Sequence, residues 1–250
     1  MKKSCLLLSI SLFFYQLVVA QKIGKADYDF LYRQKVNHLP QKGTLYFDGK
    51  QSLFVWNLGK EPELFQQDGV REAILKDPEG LQIYKNFPKK QMRMREFAMM
   101  EIYVSEEPTM PKFNWKMTGN KRKIGEYECQ EATCSFRGRD WVVWFAPTIP
   151  ISDGPWKFYG LPGLIIEAED SKKDIMFRLT SIEYPCEKCT ADSFKFSEKG
   201  KKVDFATYIK AEDIEFEKAR QKAIAEHRSR GVENFDMKKI KFNKLEEKFD

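Results

Sequence analysis

The residues of this chain best equipped for chemistry are cysteines. Of five in all, Cys129, Cys134, Cys186 and Cys189 lie in the second half. Four thiolates can hold zinc or copper tetrahedrally, a Cys-x-x-Cys pair can carry redox chemistry, and an even set in an oxidising space forms disulfides. A thioredoxin-type pair opens a helix after a strand, whereas here Pro185 precedes Cys186, and Thr190, Ala191, Asp192 and Ser193 follow Cys189, which is loop composition. Structural disulfides drawing on Cys129, Cys134, Cys186 and Cys189 are therefore expected, with a metal-handling thiolate set as the alternative. Cys129 and Cys134 are an odd number of positions apart. In an unbroken strand they face opposite ways, so either a bulge joins them or one meets the other pair.

The acidic residues Asp153, Glu167, Glu169 and Asp170 lie near aromatic side chains able to stack on sugars, and a glycoside hydrolase needs two carboxylates across a groove. Glu167 and Glu169 share one strand face and read more simply as a solvated edge. A serine hydrolase needs a base, and the only histidines are His38, close to Pro40, and His227, in a charged segment, with no Gly-x-Ser-x-Gly elbow. Phosphate-loop, His-Glu-x-x-His and dinucleotide fingerprints are missing too. The expectation is a non-enzymatic protein with no assigned catalytic residue, metal site or cofactor.

The elements that must position these residues follow from composition and pattern. In 250 residues, 42% are hydrophobic and 14% aromatic, ample for one continuous core. The 43 Lys and Arg against 37 Asp and Glu leave an excess too small to announce a nucleic-acid binder, and Lys2 and Lys3 belong to a leader. That leader, Met1 to Ala20, has a basic start, an apolar run from Leu6 to Val19 and a small residue at its end, the layout of a secretory signal peptide. A membrane anchor is the competing reading, but the run is short and broken by Ser9, Ser11 and Gln16. Cys5 precedes the apolar run, so it is not a lipoprotein cysteine. A soluble periplasmic or secreted protein, with no membrane span after cleavage, is expected.

From Lys22 to Val36 the pattern alternates, with Tyr28, Phe30 and Tyr32 on one face. Asp48-Gly49 between two β-prone runs, Gly43 to Phe47 and Gln51 to Trp56, predicts a tight hairpin. Residues 61–80 read as a polar excursion with a weak helix near Val70 to Leu75. Further strands are expected at Leu81 to Tyr84, Glu96 to Val104, Phe113 to Met117, Ile124 to Phe136, Trp141 to Phe145, Leu164 to Ala168 and Ile175 to Tyr184. Short strands without intervening amphipathic helices predict a mainly β, antiparallel fold. From the Asp204 N-cap to Gly231 an apolar stripe, including Phe205, Tyr208 and Ile209, predicts one or two charged helices. The charge-dense residues Asp236 to Asp250 read as solvated. The implied organisation is a leader (1–20), a β-rich domain (21–190) and a charged helical extension (191–250).

One segment stands apart. Gly154-Pro155-Trp156-Lys157-Phe158-Tyr159-Gly160-Leu161-Pro162-Gly163-Leu164-Ile165 mixes Gly and Pro with large apolar residues. Leu161 to Leu164 fits a type II turn, Pro162 fixing φ and Gly163 accepting positive φ, with Gly154 and Gly160 as further turn residues. On one reading Trp156, Phe158 and Leu161 cap the core. On the other, Trp144, Pro155, Trp156, Phe158, Tyr159, Leu161 and Pro162 form a ligand or partner surface, where rigid aromatics are favoured.

Gly160-Leu161-Pro162-Gly163-Leu164-Ile165 is also the signature of the GLPGLI family of exported Bacteroidetes proteins, which the chain resembles. The flanks agree, from Tyr127 to Ala132 through Phe136 to Arg139, Trp144-Phe145, Ile149 to Ile151 and Gly154-Pro155 to Glu167 and Asp170. The early hairpin with Ser52 and Phe54 agrees more weakly. The chain departs from the pattern in Cys134 and in Glu131, where a basic residue is expected. The family is largely of unknown function. The resemblance implies a curved sheet or half-barrel-like bowl similar to periplasmic carriers, a setting near outer-membrane TonB-dependent transporters, and a partner that is such a transporter or a hydrophobic, glycan or peptide ligand.

Overall fold

The computed structural model of the chain describes residues 22–32, 40–67, 70–74, 76–98, 101–229 and 246. The leader Met1 to Ala20 and His38 lie outside the described residues. Strands β1 (Gly24–Tyr32), β2 (Gln41–Phe47) and β3 (Gln51–Trp56) come first among the described residues; β4 (Glu63–Gln67) and β5 (Val70–Ile74) form a separate hairpin. Then come β6 (Leu81–Asn86), β7 (Gln91–Ala98), β8 (Glu101–Glu106), β9 (Lys116–Ile124), β10 (Tyr127–Phe136), β11 (Arg139–Ala146), β12 (Leu164–Asp170) and β13 (Ile175–Glu183). A 3-10 turn (Ala191–Phe194), the short β14 (Lys201–Lys202) and helix α1 (Phe205–Ser229) follow.

Apart from β4 and β5, all the strands join one 12-stranded sheet in the order β14, β8, β7, β6, β3, β2, β1, β13, β12, β11, β10, β9. Pairing is antiparallel except for β14 beside β8. The sheet is curved and open, ending at β14 and β9 rather than closing into a barrel. Register shifts at Asp27/Tyr28, Gln130/Ala132 and Trp144/Phe145 mark bulges, which bend a strand and increase its twist. The mainly β, antiparallel expectation holds. None of the described helices is long and apolar enough to cross a membrane.

Alternation decides which side chains meet. Tyr28 and Phe30, Leu45 and Phe47, Phe54 and Trp56, Trp141, Val143 and Phe145 all point to one face and are buried. The Asp48-Gly49 hairpin forms with Gly49 at φ 82°, and the Asp48 carboxylate accepts from the Lys50 and Gln51 amides at 2.8 and 2.9 Å. After residue 190 the chain stays on the same body: Phe205 and Tyr208 enter the core, and Asp204 accepts the Thr207 amide at 2.8 Å, capping α1.

Three expectations need correction. Val70–Ile74 is a strand, not a helix: β-branched Val70 and Ile74 suit a strand, and so short a helix is marginal alone. The stretch from Ile124 to Phe136 is not one strand: Gly125, at φ 58°, sits in the turn between β9 and β10. Glu96 to Val104 likewise spans the ends of two paired strands, β7 and β8.

Candidate functional site

The Gly- and Pro-rich segment does not rim the buried face; it fills it. Leaving β11, the chain turns with Ile149 donating to Ala146 O at 3.1 Å and Asp153 to Ile151 O at 2.8 Å. It returns with Leu164 donating to Ile149 O and Ile165 to Asp153 O, each at 3.0 Å. Between these points Phe158 reaches the centre of the aromatic core, edge-on to Trp141 at 4.8 Å, Trp156 at 5.2 Å and Phe177 at 6.1 Å. Trp156 holds φ 51°, a region bulky residues rarely adopt, with its ring packed against Phe136 and Trp141.

A buried ion pair pins the plug. Lys85 on β6 is wholly inaccessible; its Nζ bonds the Asp153 carboxylate, Gly154 O at 2.9 Å and Phe158 O at 3.0 Å. Three acceptors satisfy the three ammonium donors. Burial pushes the pKa of Lys85 down, and Asp153 pulls it part of the way back. Tyr28 adds a bond from its hydroxyl to Ile165 O at 2.8 Å, and Trp115 Nε1 donates to Tyr159 O at 2.9 Å.

Of the seven residues expected to form a surface, Pro155, Trp156, Phe158 and Leu161 are therefore core, in agreement with the capping reading. Tyr159 is half-buried and Pro162 exposed. Trp144 does not join them: Trp141, Val143 and Phe145 face the core, so Trp144 projects from the other side of β11, where the Arg122 guanidinium stacks 4.2 Å above its ring.

The turn geometry also differs from expectation. Gly160 does take positive φ, 98°, but Gly163 does not; its amide donates to Leu161 O at 2.9 Å across Pro162, a γ-turn hydrogen bond. Gly163 is required because a Cβ there would lie 2.3 Å from Ala146 O and 2.6 Å from its carbonyl carbon. Gly154 is similarly confined, by Ile165 at 2.9 Å.

The cysteines divide. Cys186 and Cys189 are bonded to each other, whereas Cys129 and Cys134 are free buried thiols. The expected participation of Cys129 and Cys134 in disulfides is corrected: both pack as small apolar side chains in the core. Burial pushes the Cys129 thiol up to about 11 and the Cys134 thiol up to about 12. A four-thiolate metal site is not assembled, and among the described residues no cluster of three His, Cys, Asp or Glu is placed to hold a metal. Nor do the carboxylates form an acid-base pair. Asp153 is held by Lys85, Asp170 by Arg139 at 2.8 Å, and Glu167 by Arg122 and Arg178.

An open feature lies on the opposite side of β2, β3 and β6. Outward positions there, Thr44, Tyr46, Val55 and Gln82, floor a cavity of about 630 Å³. Leu58, Pro78 and Lys195 contribute to its walls, and Lys42 and Lys76 add basic groups. That volume falls within the usual range for small-molecule sites. Leu58 is 61% exposed, a large apolar side chain left in water at the rim. Sequence reasoning missed this groove although the alternation of the Asp48-Gly49 hairpin marks its floor. The wall comes from Lys195, distant in sequence, and nothing local announces that contact.

The plug-bearing stretch is also where a family comparison matches. A family model described as a protein of unknown function, Porph_ging, matches residues 137–167. No curated protein matches the chain. Among solved structures it is similar to PNGF-II in the P21 and C2 space groups, with TM-scores of 0.54 and 0.52 and 16% identity in each case. Those likenesses cover 76% and 78% of this chain and 33% of PNGF-II, so the chain spans about a third of its length. At that identity the likeness is one of fold alone. A putative outer membrane lipoprotein-sorting protein domain from Vibrio parahaemolyticus also matches, over 71% of this chain and 91% of its own, but with 8% identity and a TM-score of 0.27 it carries no argument.

Proposed function

We propose that the chain is an exported, non-enzymatic binding or accessory protein of the GLPGLI type, and that its ligand surface is the outer groove across β2, β3 and β6. The observation that carries this reading is the contrast of one face filled by its own Gly- and Pro-rich segment with another left open over about 630 Å³. The occupation of Asp153, Glu167 and Asp170 by Lys and Arg partners supports binding rather than hydrolysis. The Cys186–Cys189 disulfide supports an oxidising compartment, periplasmic or secreted, and the signal-like leader agrees. A hydrophobic, glycan or peptide ligand, delivered to or received from an outer-membrane TonB-dependent transporter, completes the proposal. Lys195 beside Tyr46 and Val55 favours a ligand with an apolar body and an acidic group, while Lys42 is held by Asp29 and Glu79 adds an acidic group to the wall.

The test uses 8-anilinonaphthalene-1-sulfonate, which has that chemistry, with the native full chain. One saturable site is expected, weakened at least fivefold by Lys195→Glu and unaffected by Trp144→Ala. Binding weakened by Trp144→Ala but indifferent to Lys195→Glu would move the site to the Trp144 side of β11. No saturable binding would overturn the groove.

A further inference from the structure

Lys157, next to Trp156 in the plug, is the second buried lysine of the segment, and its surroundings differ from those of Lys85. Its side chain is 1% exposed, and its Nζ lies 2.8 Å from Glu107 Oε1 and 2.7 Å from Glu246 Oε1. Arg137 Nη2 shares Glu107, at 3.0 Å from Oε2. Aromatic rings enclose the ammonium: Phe205 lies 5.5 Å from it and Trp156 5.7 Å, with the Arg137 guanidinium 5.2 Å from Phe205. Burial disfavours the charge on Lys157, but Glu246, Glu107 and the more distant Glu96 outweigh it and raise its pKa.

Glu246 reaches this site from the far end of the chain. It is itself 7% exposed, whereas its neighbours in sequence, Lys244, Glu247 and Lys248, are charged. Helix α1 leaves Phe205 and runs 25 residues, about 37 Å at 1.5 Å per residue. Glu246 nevertheless sits on the lysine that packs on Phe205, beside the start of the helix.

We propose that Lys157, with Glu107, Arg137 and Phe205 around it, forms a receptor for a single peptide carboxylate, and that Glu246 occupies it in cis as a latch. A lysine with two carboxylate partners, one shared with Arg137 and one delivered by a charge-rich terminal segment, is built to exchange the second. The ligand class is an acidic peptide. The occupant the structure assigns is the chain's own Glu246. This latch is independent of the groove across β2, β3 and β6.

The experiment compares the full-length chain with its Glu246→Gln and Glu247→Gln variants, using a fluorescein-labelled peptide of residues 236–250. The labelled peptide is expected to bind the Glu246→Gln chain at least tenfold more tightly than the wild type, because the competing cis carboxylate is gone. Glu247→Gln should behave as wild type, and a peptide carrying Glu246→Gln should fail to bind. Equal affinity for all three chains, or binding indifferent to Glu246→Gln in the peptide, would overturn the latch. Tryptic cleavage within 238–248 gives a second reading that needs no peptide. It should accelerate at least tenfold in Glu246→Gln over Glu247→Gln, and equal rates contradict the proposal.

Discussion

Strands β3 and β6 have two faces, and they are finished differently. On the inner side, Ser52, Phe54, Trp56, Ile83 and Lys85 are buried, and the fully enclosed lysine is bonded by the returning segment from Ile151 to Ile165. On the outer side, Val55 and Gln82 look into a groove bordered by lysines. The aromatic-rich segment is therefore spent on closing the core, and the less conspicuous alternate positions of the same strands line the open groove. Richness in Trp and Phe marks what a fold buries as readily as what it offers to a ligand.

The sharpest way to break this contrast is Lys85→Met, which leaves Asp153 charged and unpaired in the core. A loss of about 3–5 kcal/mol in urea unfolding is expected, with part recovered by adding Asp153→Asn; a loss under about 1 kcal/mol would mean that water reaches the pair. Trp156→Ala follows, with an expected cost of about 3–5 kcal/mol from the cavity it leaves, since a positive φ disfavours Ala as it does Trp. Gly163→Ala should cost about 2 kcal/mol or more, since the atoms in its way are backbone of Ala146 and cannot rotate aside. On the outer face, Lys195→Glu should change stability by no more than about 0.5 kcal/mol while altering ligand binding.

The buried thiols add a pH signature. Cys129 and Cys134 have folded values of about 11 and 12 against an ordinary 9.0, so above pH 9 the unfolded chain releases protons that the folded one keeps. Stability is then complete below pH 9 and falls as pH rises through 11 to 12. Tyr28, raised well above 10 by burial, and Lys157 act in the same direction, while Lys85, lowered by burial, opposes them. Urea midpoints between pH 8 and 11 should fall, and less steeply in a Cys129→Ala, Cys134→Ala double variant. Native maleimide labelling at pH 8 should be at least tenfold slower than labelling in urea.

The sequence made the sheet legible wherever alternation was clean, as in Tyr28 and Phe30 or the Asp48-Gly49 hairpin. It hid β9, whose residues from Lys116 to Lys123 are exposed on both faces and so carry no alternation. Lys85 gave no sign of being core, because only Asp153, far along the chain, makes its burial tolerable. Trp144 and Trp156 were grouped by proximity in sequence, but a one-residue change of parity on β11 puts Trp144 on the face opposite Trp141 and the plug. Gly163 was correctly singled out for the wrong reason: close approach to Ala146, not positive φ, requires it.

The most direct test of the plugged face is hydrogen exchange of the native full chain across 151–165. The amides of Asp153, Phe158, Leu164 and Ile165 all donate within the buried segment or to its anchors. Exchange as slow as in the central strands β1 and β13 is predicted. Exchange within seconds, as in an exposed aromatic rim, would contradict it and return the segment to the protein's binding surface.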